Sequence, residues 1–508
     1  MLLRTKIFIL SCLVVLAGIV VFLVHHNRPN ELASAKSLRG ADSKFMTSGK
    51  LLRYRFRSIE LLPENWRVHQ HQIIPAAYDH DTFFGYSLAC ALRAPSVAYG
   101  AEVAWTAYKT NEGRGSVFIL SSDVARGVID ARRILEISFD GDAGAWFGHE
   151  IDIKDADGDG LPDVLVGARF DNQHHGRAYF FDGTTLAELF RKGQRRINLS
   201  EIPHTRFDPP ADAVEFGFSV VISPHTEKSG GRLMISQQGG LSERAGSVAI
   251  LAVPDHAETI AVRPDQFIWA ADALDFGRNL GISLVDRNTL VFAGSNADAK
   301  WWQLPHRSGK AWAILSADSN PKIKTIFDTA ELSGQYGTAS FDISASLANW
   351  MSKNYAVITL ANIDRNPLIM SGIVVRTFEE SDDASLLFYS PKLADSALGW
   401  SLIPPVDVDG DGIDDLIIGA PFYSEGSGAL SVISGADVLR LFVTPNATTV
   451  KLRLILPPNE SIGTFGSKRR GGCWVRRGAG IRLFVGAPHG GRWSDVRREA
   501  VLALDFPQ

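Results

Sequence analysis

DADGDGLPD at residues 155–163 and DVDGDGIDD at 407–415 share one pattern, with Asp at positions 1, 3, 5 and 9 and Gly at position 6. Each runs directly into an apolar stretch ending in Gly-Ala, VLVGA at 164–168 and LIIGA at 416–420. Ca²⁺ takes about six to eight hard oxygen ligands at roughly 2.3–2.6 Å in flexible geometry. The carboxylates of Asp155, Asp157, Asp159 and Asp163 with the backbone carbonyl of Leu161 make one candidate ligand set. Asp407, Asp409, Asp411 and Asp415 with the carbonyl of Ile413 make the second. Gly160 and Gly412 permit the sharp turn at position 6, where a Cβ would add strain. An EF-hand requires Glu at position 12 between two helices. Position 12 here is Val166 or Ile418, inside a β-branched run, so that reading is excluded. The alternative for either loop alone is a metal-free Asp-Gly turn. Recurrence in a matched strand context 252 residues later favours two calcium sites built into a repeated sheet.

At 508 residues the chain has room for two to four ordinary domains or one large repeat array. The formal charge of −4 provides no basic field for nucleic acid. The 46 glycines suit many tight turns between short strands. Three cysteines, Cys12, Cys90 and Cys473, exclude a disulfide-dense scaffold.

Residues 7–24 form an uncharged apolar run preceded by Arg4 and Lys6. Its 18 residues approach the lower limit for a membrane-spanning helix and exceed the roughly 7–15 residues of a signal-peptide core. The expectation is an uncleaved signal anchor within residues 1–24, N-terminus cytoplasmic, with the rest extracellular, periplasmic or luminal. Cleavage near Ala33-Ser34-Ala35 would instead give a secreted protein. Residues 25–50 are polar and aperiodic, and read as a linker.

Beyond residue 50 a two-residue motif recurs seven times: Phe84-Gly85, Phe147-Gly148, Phe216-Gly217, Phe276-Gly277, Tyr336-Gly337, Leu398-Gly399 and Phe465-Gly466. Successive glycines are 63, 69, 60, 60, 62 and 67 residues apart. A strand follows each pair. A loop comes next, then a second strand ending near Gly-Ala, and a third strand after a further Gly. With a fourth strand in the remainder, residues 51–508 predict an all-β, seven-bladed β-propeller. LLRYRFRSIELL at 51–62 alternates like a strand, and is expected to pair with the last blade and seal the ring. Cys90 and Cys473 then fall in neighbouring blades, as two separate buried thiols or, alternatively, a closing disulfide.

The Phe-Gly series, Gly-Ala-Pro at 419–421 and 486–488, and the two Asp loops together resemble the FG-GAP repeats of integrin α-subunit propellers. The resemblance covers about residues 51–508. It implies a seven-bladed propeller with calcium held by the eight aspartates on one face. Integrin α-subunits usually carry three or four such loops in later blades, whereas here two lie in blades 2 and 6. The anchor also sits at the opposite end from an integrin's, so the chain is read as a stand-alone FG-GAP protein.

The Asp loops join first and second strands. The loops after Gly-Ala therefore lie at the other face, and carry Tyr108, Phe170, Trp301, Trp302, Tyr423 and Trp493 as a candidate ligand surface. From Ser461 onward nine Lys and Arg face three Asp and Glu, a further attraction for an anionic partner. No GxSxG, HExxH, P-loop or GxGxxG sequence is present. The expected function is a non-enzymatic, membrane-tethered binding or adhesion module for a protein or glycan. The alternatives are a propeller-based polysaccharide lyase or hydrolase, and a scaffold subunit of a membrane complex. Asn198, Asn446 and Asn459 occupy N-x-S/T sequons.

Overall fold

A computed structural model describes residues 42–506 except 48–49, 63–67, 69, 76–81, 92–98, 123–126, 226–229, 239–245, 270–278, 285–288, 297–307, 316–320, 329–340, 352, 363–370, 378–384, 390–392, 394–395, 445–446, 448, 458–463, 467–470, 479 and 489–498. The described strands form six hydrogen-bonded sheets of a mainly-β propeller. Residues 147–208 illustrate the unit. Phe147–Lys154, Asp163–Ala168, Arg177–Phe181 and Thr205–Asp208 pair antiparallel in succession. The first two strands are buried throughout, although the first carries His149, Glu150, Asp152 and Lys154. The largest sheet, of ten strands, contains two such antiparallel runs, Phe341–Trp350 to Ser385–Tyr389 and Leu402–Val406 to Thr449–Ile455. First strands pack on one another in order. Leu88–Cys90 meets Phe147–Lys154, followed by Val220–Ser223, Asn279–Leu284, Phe341–Trp350, Leu402–Val406 and Gly472–Arg477, which returns to Leu88–Cys90.

The glycines of the two sequence motifs meet between neighbouring sheets. A Cβ on Gly167 would lie 2.0 Å from the carbonyl oxygen of Gly217, one on Gly419 2.2 Å from that of Gly466, and one on Gly486 2.0 Å from that of Gly85. Only glycine tolerates such backbone-on-backbone packing. The residue before each described Phe-Gly or Leu-Gly glycine is anchored too. Phe84, Phe147, Phe216, Leu398 and Phe465 are buried. The residue before each of them, Phe83, Trp146, Glu215, Ala397 and Thr464, is left-handed with φ of 59°, 56°, 55°, 51° and 48°. This turn hooks onto the preceding sheet. Trp146 and Phe147 donate their N–H groups to the carbonyls of Gly113 and Arg114 at 2.9 and 3.0 Å, and Glu215 and Phe216 to those of His174 and His175 at 3.0 and 2.9 Å. Thr464 and Phe465 repeat the arrangement with Gly426 and Ser427 at 2.9 and 3.1 Å. Where the two ends of the ring meet, a side chain takes over. The buried carboxylate of Glu499 accepts from the N–H groups of Phe83 and Phe84 at 3.0 and 3.1 Å and from the Thr82 hydroxyl at 2.6 Å.

Closure corrects two expectations. Lys50–Leu61 does not join the last sheet; it runs parallel to both Ser385–Tyr389 and Thr449–Ile455. The closing strand is Gln70–Pro75, antiparallel to Ala500–Phe506. Outer strands expose unpaired N–H and C=O groups, and one 12-residue strand between two of them covers both edges. Arg196–Asn198 and Thr259–Ala261 cover the edges of Leu135–Ser138 and Thr205–Asp208 in the same parallel manner. Cys90 and Cys473 are not separate thiols. They form a disulfide with Cα atoms 5.6 Å apart, because their strands pack together at the seam.

The all-β expectation gives way to mainly β. Helices α1 (Gly183–Arg191) and α2 (Gly435–Val443) follow the third strands of the two Asp-loop units. Each has nine residues, too few for a clear period in sequence, and they bury Leu186 and Ala187, and Val438, Leu439 and Leu441. The Asp182 carboxylate caps α1 by accepting from the N–H groups of Thr184 and Thr185. Asp42–Thr47, inside the expected linker, pairs antiparallel with Lys50–Leu61. The expected anchor at 7–24, Phe276-Gly277 and Tyr336-Gly337 lie outside the described residues. Among the described residues no helix is long and apolar enough to cross a membrane.

Gly486→Ala should cost about 2–3 kcal/mol by overpacking against Gly85, whereas Gly230→Ala, with only a 3.9 Å contact, should be near neutral in urea denaturation. Equal effects would contradict the seam. Replacing both bridged cysteines by Ser should cost about 2–5 kcal/mol, because the bridge spans 383 residues of chain.

Candidate metal centre

Each Asp loop connects the first and second strands of its unit, Phe147–Lys154 to Asp163–Ala168 and Leu402–Val406 to Asp415–Ala420. Asp155 shapes the first turn by accepting from the N–H groups of Gly158 and Gly160 at 2.7 and 3.1 Å. Asp407 does the same with Gly410 and Gly412 at 2.7 and 2.8 Å. All four glycines are left-handed, with φ of 90°, 87°, 81° and 84° in chain order. Gly at position 4 is therefore as necessary as Gly at position 6, a requirement visible in both loop sequences but not drawn from them.

Carboxylate oxygens of Asp155, Asp157 and Asp163 lie within 4.8 Å of one another, as do those of Asp407, Asp409 and Asp415. Oxygens sharing one ion at about 2.3–2.6 Å can be no more than roughly 5 Å apart, so both trios could hold a metal ion. Position 5 stands outside both trios. Asp159 accepts from the Leu161 N–H at 2.7 Å and the Thr184 hydroxyl at 2.9 Å. Asp411 accepts from the Ile413 N–H at 2.8 Å, and Ala436 replaces Thr184 in the second unit. The Leu161 carbonyl lies 2.7 Å from where a Cβ on Gly183 would be. In the second unit Gly435 faces the Asp414 carbonyl and the Ile413 side chain.

Position 9 ties the loop to a helix. Asp163 accepts from the N–H groups of Ala156 and Gly183, both at 2.7 Å. Asp415 accepts from those of Val408 and Gly435 at 2.9 and 3.0 Å. Gly183 and Gly435 open α1 and α2, where the helix dipole favours negative charge. Burial outweighs these donors. It pushes Asp163 well above the usual carboxylate range and Asp415 up to about 7. Asp157 and Asp409 are also raised, first by burial and then by the neighbouring carboxylates. Carboxylates crowded and desolvated in this way lack positive charge, and a cation would supply it.

The expected aromatic surface is only partly present. Tyr108 is buried, because Tyr86, Trp146 and Lys109 close over it from neighbouring turns. Phe170 is half-buried, edge-on to Trp146 at 4.5 Å between centroids. Tyr423 is half-buried against the core. Trp301, Trp302 and Trp493 lie outside the described residues. Residues not anticipated surround Tyr108: Phe83, Tyr86, Trp146, His149, Arg169 and Phe218. They come from three successive units and sit at the strand ends opposite the Asp loops, a gathering that only the ring creates. Within the basic C-terminal stretch, Arg482 is buried and spent on Asp505 and the Gly127 carbonyl.

A carboxylate whose folded pKa is raised binds protons more tightly in the folded than in the unfolded state. In metal-free protein the contribution of Asp415 is thus greatest below about pH 4 and is lost as pH rises through about 7, and that of Asp163 is lost in the same direction. Cation binding needs the ionised form. The gain in Tm on adding divalent cation should accordingly grow between about pH 5 and pH 7.5. A gain independent of pH would contradict this arrangement.

Several solved structures match this chain at low identity. A crystal structure of an ancestral GH74 enzyme matches with TM-score 0.44 and 11% identity over 92% of this chain and 51% of that one, so this chain spans about half its length. The polysaccharide lyase Uly1 matches with TM-score 0.44 and 8% identity over 87% and 99%. A structure of S. cerevisiae Dbp5 bound to Nup159 and Gle1 matches with TM-score 0.41 and 11% identity over 89% and 100%. At these values they carry no argument about function. No curated protein matches. One family model does: residues 399–433, which contain the second Asp loop and its two strands, are an FG-GAP repeat.

Proposed function

We propose that the chain is a seven-bladed, calcium-stabilised propeller that acts as an extracellular, periplasmic or luminal binding module, tethered through residues 7–24. Seven blades follow from treating the ten-stranded sheet as two four-stranded units bridged by Lys50–Leu61. Calcium suits the loops because it accepts several oxygens in irregular geometry, whereas Mg²⁺ demands near-ideal octahedral geometry. The aspartates of both loops, with the carbonyls of Leu161 and Ile413, are the assigned ligands. The Cys90–Cys473 bridge supports an oxidising compartment.

The observation that carries the binding reading is a division between the two ends of the blades. At one end every loop aspartate is tied to backbone N–H groups, which gives those carboxylates a scaffolding role. At the other end half-exposed aromatic rings and cations gather without such a role. The partner is a protein or a glycan, not a nucleic acid.

One arrangement favours a second, enzymatic reading. His149 is buried, and its Nδ1 donates to the Phe218 carbonyl at 3.0 Å, which leaves Nε2 as acceptor facing Arg169 and the Tyr86 hydroxyl. An oriented imidazole beside a phenol and a guanidinium is suited to proton abstraction from an acidic sugar. Appearance of unsaturated sugar ends, abolished by His149→Ala, would establish it.

Full-length protein stripped of metal should gain about 2.7 kcal/mol of stability per site at a hundredfold excess of Ca²⁺ over Kd, with Mg²⁺ giving less. Asp155→Ala and Asp407→Ala should each remove one of two bound ions by elemental analysis. Two ions retained in either variant, or no gain with Ca²⁺, would reject the assignment.

A further inference from the structure

We infer that the Trp146 cluster is a binding site for an acidic polysaccharide, with Lys109 and Arg169 receiving its carboxylate or sulfate groups. This rests on the binding-module reading and names its ligand class and residues.

The residue before the motif is left-handed at all five turns that are described, so that conformation belongs to the repeat. What differs is the side chain it projects. Ala397 and Thr464 are small, whereas Phe83 and Trp146 in adjacent units are large aromatics in the same strained position. Their rings surround Tyr108, at 5.0 Å for Phe83 and 4.7 Å for Trp146 between centroids. Tyr108, His149 and Phe218 form a buried floor. Phe83, Tyr86, Trp146 and Phe170 stand half-exposed above it.

Two cations lie on these rings. The Arg169 guanidinium carbon is 4.9 Å from the Trp146 centroid, 4.3 Å from Phe170 and 4.8 Å from Phe218. Its orientation is set by Glu215 at 3.6 Å and by His149 Nε2 at 3.2 Å. Lys109 Nζ lies 4.1 Å from the Phe83 centroid and 5.8 Å from Trp146. Lys109 is exposed, and among the described residues no carboxylate pairs with it. Glu215 offsets Arg169, so the Lys109 charge is left uncompensated beside the rings. Aromatic faces replace water around an ammonium without neutralising it. An arriving anion can therefore pair with the Lys109 ammonium while it stays on the rings.

The indole N–H of Trp146 bonds to no other described residue and can donate to a ligand. An acidic sugar fits this combination. Its anionic substituent meets Lys109 and Arg169, its apolar C–H face lies on exposed ring area, and its hydroxyls accept from the indole. A neutral sugar lacks the first contact, and an acidic peptide lacks the rigid ring face.

The test uses full-length, calcium-loaded protein, with binding followed by calorimetry and tryptophan fluorescence. The probes are polygalacturonate and heparin oligosaccharides, a neutral cello-oligosaccharide and polyglutamate. At least one acidic oligosaccharide should bind, weaken with salt, and exceed both the neutral sugar and polyglutamate by about tenfold, the size of one charge-assisted hydrogen bond. Preference between the two acidic sugars separates carboxylate from sulfate recognition. Lys109→Ala should weaken binding about tenfold without changing Tm, and Trp146→Phe should weaken it while keeping the ring. Equal binding of polyglutamate would overturn the sugar assignment in favour of a peptide. Acidic-sugar binding unaffected by Lys109→Ala would overturn this site and leave the module reading intact. Failure of every probe while Ca²⁺ still raises Tm would overturn the inference alone.

Discussion

Backbone contact between successive sheets is the constraint on which the rest of this structure depends. Gly167 against Gly217, Gly419 against Gly466 and Gly486 against Gly85 leave no room for a Cβ. The left-handed residues Trp146, Glu215 and Thr464, each with the aromatic that follows it, then hook the preceding sheet through two N–H groups. These units are thus fastened to their neighbours by backbone, and side-chain identity there matters mainly for filling the space behind the turn. This explains why a motif as small as Phe-Gly can organise a ring. It also explains the special treatment of the seam, where the Glu499 carboxylate, the Cys90–Cys473 bridge and the Gln70–Pro75 strand act together on one junction.

The Asp loops apply the same economy within a unit. One loop fixes the first hairpin through Asp155 or Asp407, and its ninth residue fixes the following helix through Gly183 or Gly435. In both units that glycine lies 20 residues beyond the aspartate. Burying a carboxylate for this purpose is costly without positive charge nearby. A bound cation would make the loop, the hairpin and the helix start a single element.

Much of this was legible along the chain. The aspartate spacing identified Asp155, Asp157 and Asp163 and their counterparts as neighbours, because position within a tight turn is a local property. The Phe-Gly series identified the repeat for the same reason. The left-handed residue before it was hidden, since Phe, Trp, Glu, Ala and Thr all occupy it and none announces the conformation. Pairings across the ring were also hidden. Nothing in LLRYRFRSIELL indicates that its partners are Ser385–Tyr389 and Thr449–Ile455, and short, polar QHQIIP gives no sign of closing the ring. Tyr108 was expected at the surface because the residues that cover it belong to another turn and another unit. The cysteine pairing depended on a seam 383 residues wide in sequence.

The two ends of the blades thus have separate tasks. One end uses aspartates to hold strands and helices together, and the other displays aromatics and cations from three neighbouring units. The most direct measurement of this account is anomalous X-ray scattering from crystals of calcium-loaded protein. Two calcium peaks are predicted, one about 2.3–2.6 Å from oxygens of Asp155, Asp157 and Asp163 and the other equally placed among Asp407, Asp409 and Asp415. Peaks absent from these loops, or located at the aromatic end, would contradict it.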